Sequence, residues 1–269
     1  MRRYTRYRHC SFYSPHLRWG FKHLANYTER YDLSDVKIAL KAAHTCRVAA
    51  LSDRIAKSLS LSDSDTDLAW LLGMLHDLGR FEQVRRYGTF DDPTTVNHAA
   101  LSADLLFKGG LIRDYVSDRR EDALIEKAIR LHNVYALPEG LTNRERTFCQ
   151  ILRDADKLDI FKVNVETPLE EILDVTTEAI ETSAVSKEVL ADAVLCRNCD
   201  RRFVTTPADH IVSHISLVFG LVYDESIRIV KEQGYLNQLL AFRSKNPETN
   251  DAMEQVRKAV HTFFSHRLS

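Results

Sequence analysis

Residues 68–81 read LAWLLGMLHDLGRF. Leu68, Leu71, Leu72 and Leu75 recur at the three- and four-residue steps of an amphipathic helix, behind a helix cap at Ser62 or Ser64. The helix is expected to end near Gly79, since glycine suits a helix C-terminus. Just before that stop, two ionisable residues, His76 and Asp77, interrupt the apolar run. Adjacent helical residues point about 100° apart, so the pair can face one ion only where a helix ends or distorts. A carboxylate placed there can bridge two ions, one oxygen on each.

Working outward, Ser34 reads as an N-cap, and Val36, Ile38, Ala42, Cys46, Ala49, Ile55 and Leu59 carry a helix to about residue 61. Arg80 to Pro93 lacks a regular period and reads as a loop. Helical patterns return over about 95–107, 120–133 and 143–164, and then near 168–182, 185–194, 208–233 and 250–267. No alternation is long enough to propose a strand, and there is no internal repeat. With 9 Gly and 6 Pro in 269 residues, turn formers are too scarce for a β-sandwich or barrel. The expected fold class is all-α. A helical core spans 34–166, additional C-terminal helices over 167–269 pack on it, and residues 1–33 form an N-terminal arm.

The 30.9 kDa chain is 44% hydrophobic and 28% charged, which is enough apolar material for a sizeable core. Its 37 basic and 38 acidic residues leave a net charge of −1, so bulk nucleic-acid binding is not expected. No run of about 18 apolar residues suggests a membrane span. The basic start is not followed by the apolar run of a secretory signal. Five scattered cysteines do not make a disulfide framework, and a reducing cytoplasm is the expected location. The arm interleaves Arg2, Arg3, Arg6, Arg8, Arg18, Lys22 and Arg30 with eight aromatic residues, Tyr27 and Tyr31 among them. Such an arm can grip a phosphorylated ligand or nucleic acid. The simpler reading, preferred here, packs its rings on the helical body while the arginines stay in water.

The chemistry-bearing residues lie inside predicted helices. His44 sits in KAAHTCRVA, His98 in VNHAALSADLL, His132 in AIRLHNVYALP and Asp156 in ILRDADKLDIF. Each is flanked by apolar residues at core-facing spacings, where an ionisable group is costly unless something satisfies it. Any one of these histidines alone reads as a hydrogen-bonded core residue. The ordered set His44, His76-Asp77, His98, His132, Asp156 reads as a metal site, because neutral imidazoles and carboxylates are natural ligands of first-row ions.

HTCRVA around His44, MLHDLGRFEQ around His76-Asp77 and RDADKLD around Asp156 resemble the HD-domain metal-dependent phosphohydrolases, over residues 44–156. The resemblance implies an HD-type helical core in which His44, His76, Asp77 and Asp156 hold a first metal. His98 and His132 match the extra histidines of binuclear members, with Asp77 bridging. The implied cofactors are two divalent transition-metal ions, drawn from Fe, Mn, Co, Ni and Zn, with Mg as an alternative in one site. Asp154 competes with Asp156 as the last ligand, and the string ADKLD favours Asp156. Asp159 reads as a supporting or surface residue. The chain lacks a GYP tripeptide and has His132-Asn133 where a His-His pair stands in cyclic-dinucleotide hydrolases. Leu78-Gly79-Arg80-Phe81 replaces the Glu-Asp pair of guanosine tetraphosphate hydrolases.

The expected function is hydrolysis of a phosphate monoester or phosphodiester, nucleotide-like, by a metal-bridged hydroxide. The partner is then a phosphorylated small molecule or nucleotide; a homo-oligomer is left open. Asp77, Arg80 and Lys157 are the expected catalytic residues, with Arg80 also binding a phosphoryl oxygen. Arg47, three residues after His44, and Arg85 and Arg86 are further candidate phosphate ligands, and Gln83 and Asn97 candidate contacts to a base or sugar. Two alternatives use the same residues: an HD-type di-iron oxygenase, whose four histidines and two aspartates match, and a non-catalytic nucleotide sensor, which has no need of all six. Cys196 and Cys199, with His210 and His214, offer the ligand types of a structural zinc site. Reduced cysteines and ordinary helix histidines are the simpler reading.

Overall fold

The computed structural model describes residues 26–168, 170–171 and 175–267. The described residues form 12 α-helices and no strand, and no helix among them is long and apolar enough to cross a membrane. The chain divides into two compact units, one ending at Ala155 and the other beginning at Asp156, within a single helix.

In the first unit, α1 (Val36–Ser58) and α2 (Asp63–Leu75) lie side by side. The cap of α1 is Asp35 rather than Ser34: its Oδ1 accepts from the Lys37 and Ile38 amides at 2.7 and 3.3 Å. Ser34 instead donates to Asp32. Ser62 caps α2 as expected, accepting from the Asp65 amide. Val48, Ile55, Trp70, Leu72 and Leu75 are buried, each large side chain contributing about 1.5–3 kcal/mol over its exposed state.

The stretch read as a loop is helical. Helix α2 stops at Leu75, and α3 (Leu78–Tyr87) follows after a two-residue joint. Its period was masked because the inward face carries Glu82 and Gln83 beside Leu78, Phe81 and Val84. Gly79 is therefore not a terminator but lies in the first turn of α3. A Cβ there would fall 2.6 Å from the Ser102 amide nitrogen and 2.7 Å from the His98 carbonyl oxygen. Glycine lets α3 touch the start of α4 (His98–Phe107), and the Gly79 amide donates to Ser102 Oγ at 2.8 Å. Helix α5 (Asp122–Arg130) packs on α4, and α6 (Asn143–Glu166) follows.

Most of the arm, including Arg2 to Lys22, lies outside the described residues. Of its described remainder, Tyr27 sets its ring edge-on to Phe81 at 6.0 Å and donates to the Leu78 carbonyl. Tyr31 stacks on Phe81 at 5.6 Å. These two rings pack on α3.

The second unit holds α7 (Thr177–Thr182), α8 (Lys187–Val194), α9 (Pro207–Ser216), α10 (Asp224–Gln233), α11 (Tyr235–Leu240) and α12 (Pro247–Arg267). Part of the helix expected over 168–182 lies outside the described residues. The single helix expected over 208–233 is two, α9 and α10, separated by a 3-10 turn at Leu217–Gly220. The run HISLVFGLV is apolar on all sides, so its period could not mark the break. Thr206 and Asp209 form a capping box on α9 behind Pro207.

Candidate metal centre

The joint between α2 and α3 sets the site. His76 keeps helical angles, while Asp77 turns to φ −108°, ψ 16°, so the two neighbours face one interior and are 0% and 2% exposed. His44 enters from the middle of α1, His98 from the first residue of α4 and His132 from just beyond α5, all buried.

Asp77 is the centre of the arrangement. Its Oδ2 faces His44 Nε2 at 3.6 Å and His76 Nε2 at 3.5 Å. Its Oδ1 faces His98 Nε2 at 3.6 Å and His132 Nε2 at 3.8 Å. Two ligands each ~2.1 Å from a common ion lie roughly 3.0–3.4 Å apart, so both clusters approach metal-ligand spacing. Asp77 Oδ1 is buried and accepts no hydrogen bond. Within the first unit, the groups whose ligand atoms gather within 4.8 Å are His44, His76 and Asp77, and Asp77, His98 and His132. The five expected ligands of that unit are thus brought into such groups, and Asp156 opens the second unit. Asp154 is instead bonded to Gln150 Nε2 at 2.8 Å, and Asp159 is buried rather than on the surface.

The outer nitrogens fix the tautomers. Nδ1 of His76 lies 2.8 Å from the Gly73 carbonyl, that of His132 2.7 Å from the Ile129 carbonyl, and that of His98 2.5 Å from Asp92 Oδ2. Carbonyl and carboxylate oxygens only accept, so each Nδ1 carries the proton and each Nε2 presents a lone pair inward. The Nε2 atoms of His98 and His132 then confront each other at 3.0 Å, an arrangement that calls for a cation. Burial, with Arg80 nearby, lowers His98 to about 3 against the pull of Asp92 and Asp77, which keeps it in the neutral, ligating form. Burial works against the Asp77 charge, but Lys41, His76, His98 and Arg80 outweigh it and hold the carboxyl well below its ordinary range.

Two neighbours were missed in the sequence. Lys41 Nζ lies 2.8 Å from Asp77 Oδ2. Its position one helical turn before His44 was a usable signal. Asp92 sits in irregular chain, where no periodicity marked it.

The other expected site residues fall into different places. Arg80 donates to Gln83 Oε1, the Phe90 carbonyl and Asp92 Oδ1 at 2.6–2.8 Å, and its Nε lies 3.9 Å from Asp77 Oδ1. Gln83, expected to touch a base or sugar, is fully buried and donates to Asp92, Thr95 and the Val96 carbonyl, bracing the segment that leads to His98. Asn97 caps α4 through the Ala100 amide. Arg85 and Arg86 are exposed and share the Glu82 carboxylate. Arg47 is half-buried on α1. Lys157, expected in catalysis, places its ammonium on the Gly220 carbonyl at 2.7 Å. Cys196 and Cys199 donate to different carbonyls, those of Ala259 and Val189, and burial pushes the Cys199 thiol up to about 11. Among the described residues, Cys196, Cys199, His210 and His214 do not gather into a metal-holding group, so the zinc site is not supported.

The fold and the ligand cluster define a helical domain built around a His/Asp metal centre. Residues 42–160 match the model of the HD domain family. No curated protein and no solved structure matches the chain.

Proposed function

We propose that this protein is a metal-dependent phosphohydrolase acting on a phosphate monoester or diester of a phosphorylated small molecule such as a nucleotide. The observation that carries the reading is Asp77, a single buried carboxylate with a histidine pair facing each oxygen. His44, His76, Asp77 and Asp156 would hold one ion, and Asp77, His98 and His132 a second. Two divalent ions supply Lewis acidity and an activated water when bound. Asp92 keeps His98 in the ligating tautomer, and Arg80 brings positive charge to the Oδ1 side. Burial of the cluster excludes bulk water, which strengthens every electrostatic contact within it.

The test is phosphate release from aryl phosphates and nucleotides by the purified full chain with Mn²⁺, Co²⁺, Fe²⁺ or Ni²⁺. Chelation or Asp77→Ala should abolish it. Turnover that survives both would overturn the reading, and substrate-dependent dioxygen uptake by the iron-loaded protein would replace it with an oxygenase.

A further inference from the structure

Lys41 has a position that metal binding alone does not explain. Its ammonium approaches Asp77 Oδ2, the same oxygen that His44 and His76 face. It also lies 5.4 Å from the centroid of the Phe90 ring, and Asp77 and Phe90 are its only partners among the described residues. Arg80 contacts the same ring at 5.6 Å and reaches the other oxygen of Asp77. The site therefore has a cation beside each half of the bridging carboxylate. The two cations differ in freedom: one terminal nitrogen of Arg80 is anchored to three acceptors, whereas Lys41 hangs on a flexible four-carbon stem.

An ammonium and a divalent ion compete for the same carboxylate oxygen, and like charges repel at that range. When the centre is loaded, Lys41 needs another anion within reach of its stem, and the group a phosphohydrolase brings into its pocket is a phosphoryl group. A monoester supplies three non-bridging oxygens and two negative charges, which complement both Lys41 and Arg80. A diester supplies two oxygens and one charge, and so offers Lys41 and Arg80 one acceptor and one charge fewer.

Resting on the phosphohydrolase reading, we propose that Lys41 binds a phosphoryl oxygen of the substrate opposite Arg80, and that the two cations select a phosphate monoester over a diester. The full chain and its Lys41→Gln and Lys41→Arg variants are loaded with Mn²⁺. Metal content is measured, inorganic phosphate is titrated by calorimetry, and phenyl phosphate is compared with diphenyl phosphate for both binding and hydrolysis. Lys41→Gln should retain its metal, bind phosphate about tenfold or more weakly, the effect of one lost charge-assisted bond, and raise KM for the monoester more than it lowers kcat. Lys41→Arg should recover most of the affinity, and the monoester preference should shrink in Lys41→Gln. The proposal is overturned if Lys41→Gln binds phosphate as the parent does, if it loses metal and phosphate together, or if the parent favours the diester. A parent that binds phosphate through Lys41 and prefers phenyl phosphate but hydrolyses nothing would sink the hydrolase reading and leave this assignment standing. A metal-loaded parent that hydrolyses phenyl phosphate but binds no phosphate would overturn this assignment and leave the hydrolase reading standing.

Discussion

Asp92 Oδ2 stands 2.5 Å from His98 Nδ1, and the other oxygen of the same carboxylate takes Arg80 at 2.8 Å. One side chain thus orients a metal-facing imidazole and anchors the neighbouring cation. Burial opposes its charge, yet His98, Arg80 and Gln83 hold the Asp92 carboxyl well below its ordinary range.

Removing that carboxylate should loosen His98 without touching the inner cluster. Asp92→Ala is expected to weaken binding of the second ion by about 10–100-fold, the usual effect of losing such a supporting partner. Metal analysis after dialysis at limiting Mn²⁺ should show occupancy falling toward one ion per chain, whereas Asp77→Ala should lose both.

Arg153 on α6 fastens His132 from behind. Its guanidinium donates to the carbonyls of Leu131, His132, Val134 and Tyr135 at 2.6–3.2 Å. Arg153→Met leaves those acceptors short of donors and should cost about 2–4 kcal/mol. Arg153→Lys, with no planar fork, should recover only part of this. Denaturant titration of the three proteins measures the order.

Gly79→Ala tests the contact between α3 and α4. The new methyl would meet backbone at 2.6 and 2.7 Å, which no rotamer change relieves. A loss of about 1–3 kcal/mol is expected. Gly140→Ala meets nothing within 4 Å and faces only its φ of +81°, so it should cost about 1–2 kcal/mol from backbone strain. If Gly79→Ala is as stable as the parent, the close approach at Gly79 is wrong.

Asp209 gives a pH-dependence away from the centre. Its carboxylate accepts from the Ser186 amide and hydroxyl and from the Thr205 and Thr206 amides. These bonds outweigh burial and hold the Asp209 carboxyl below its ordinary range. A group depressed on folding stabilises fully above its unfolded value of about 3.9 and loses that contribution as the pH falls through the folded value. Asp209→Asn should therefore be less stable than the parent at pH 7, by about 1–2 kcal/mol, with the gap closing below pH 4. A gap that stays constant with pH would mean the charge contributes nothing.

Helix positions and ligand identities could be read along the chain because both are local. The 3.6-residue period set out α1, α2, α4, α5 and α6, and the HD pair with its flanking histidines and Asp156 named the cluster. Where the inward face was itself polar, as at Glu82 and Gln83, the period vanished and α3 went unseen. Where the run was apolar on every side, as from Ile215 to Val222, a break between helices left no trace.

The residue types for a metal centre, and the all-α class around it, follow from one-dimensional pattern, because helices and the burial of ionisable groups leave periodic marks. Which oxygen of Asp77 meets which histidines, that Asp92 steadies His98, that Lys157 turns to the Gly220 carbonyl and that Lys41 stands beside the bridge arose only on packing. Those relationships join side chains distant in sequence or in irregular chain, and their energies depend on distances of a few ångströms that no periodicity encodes.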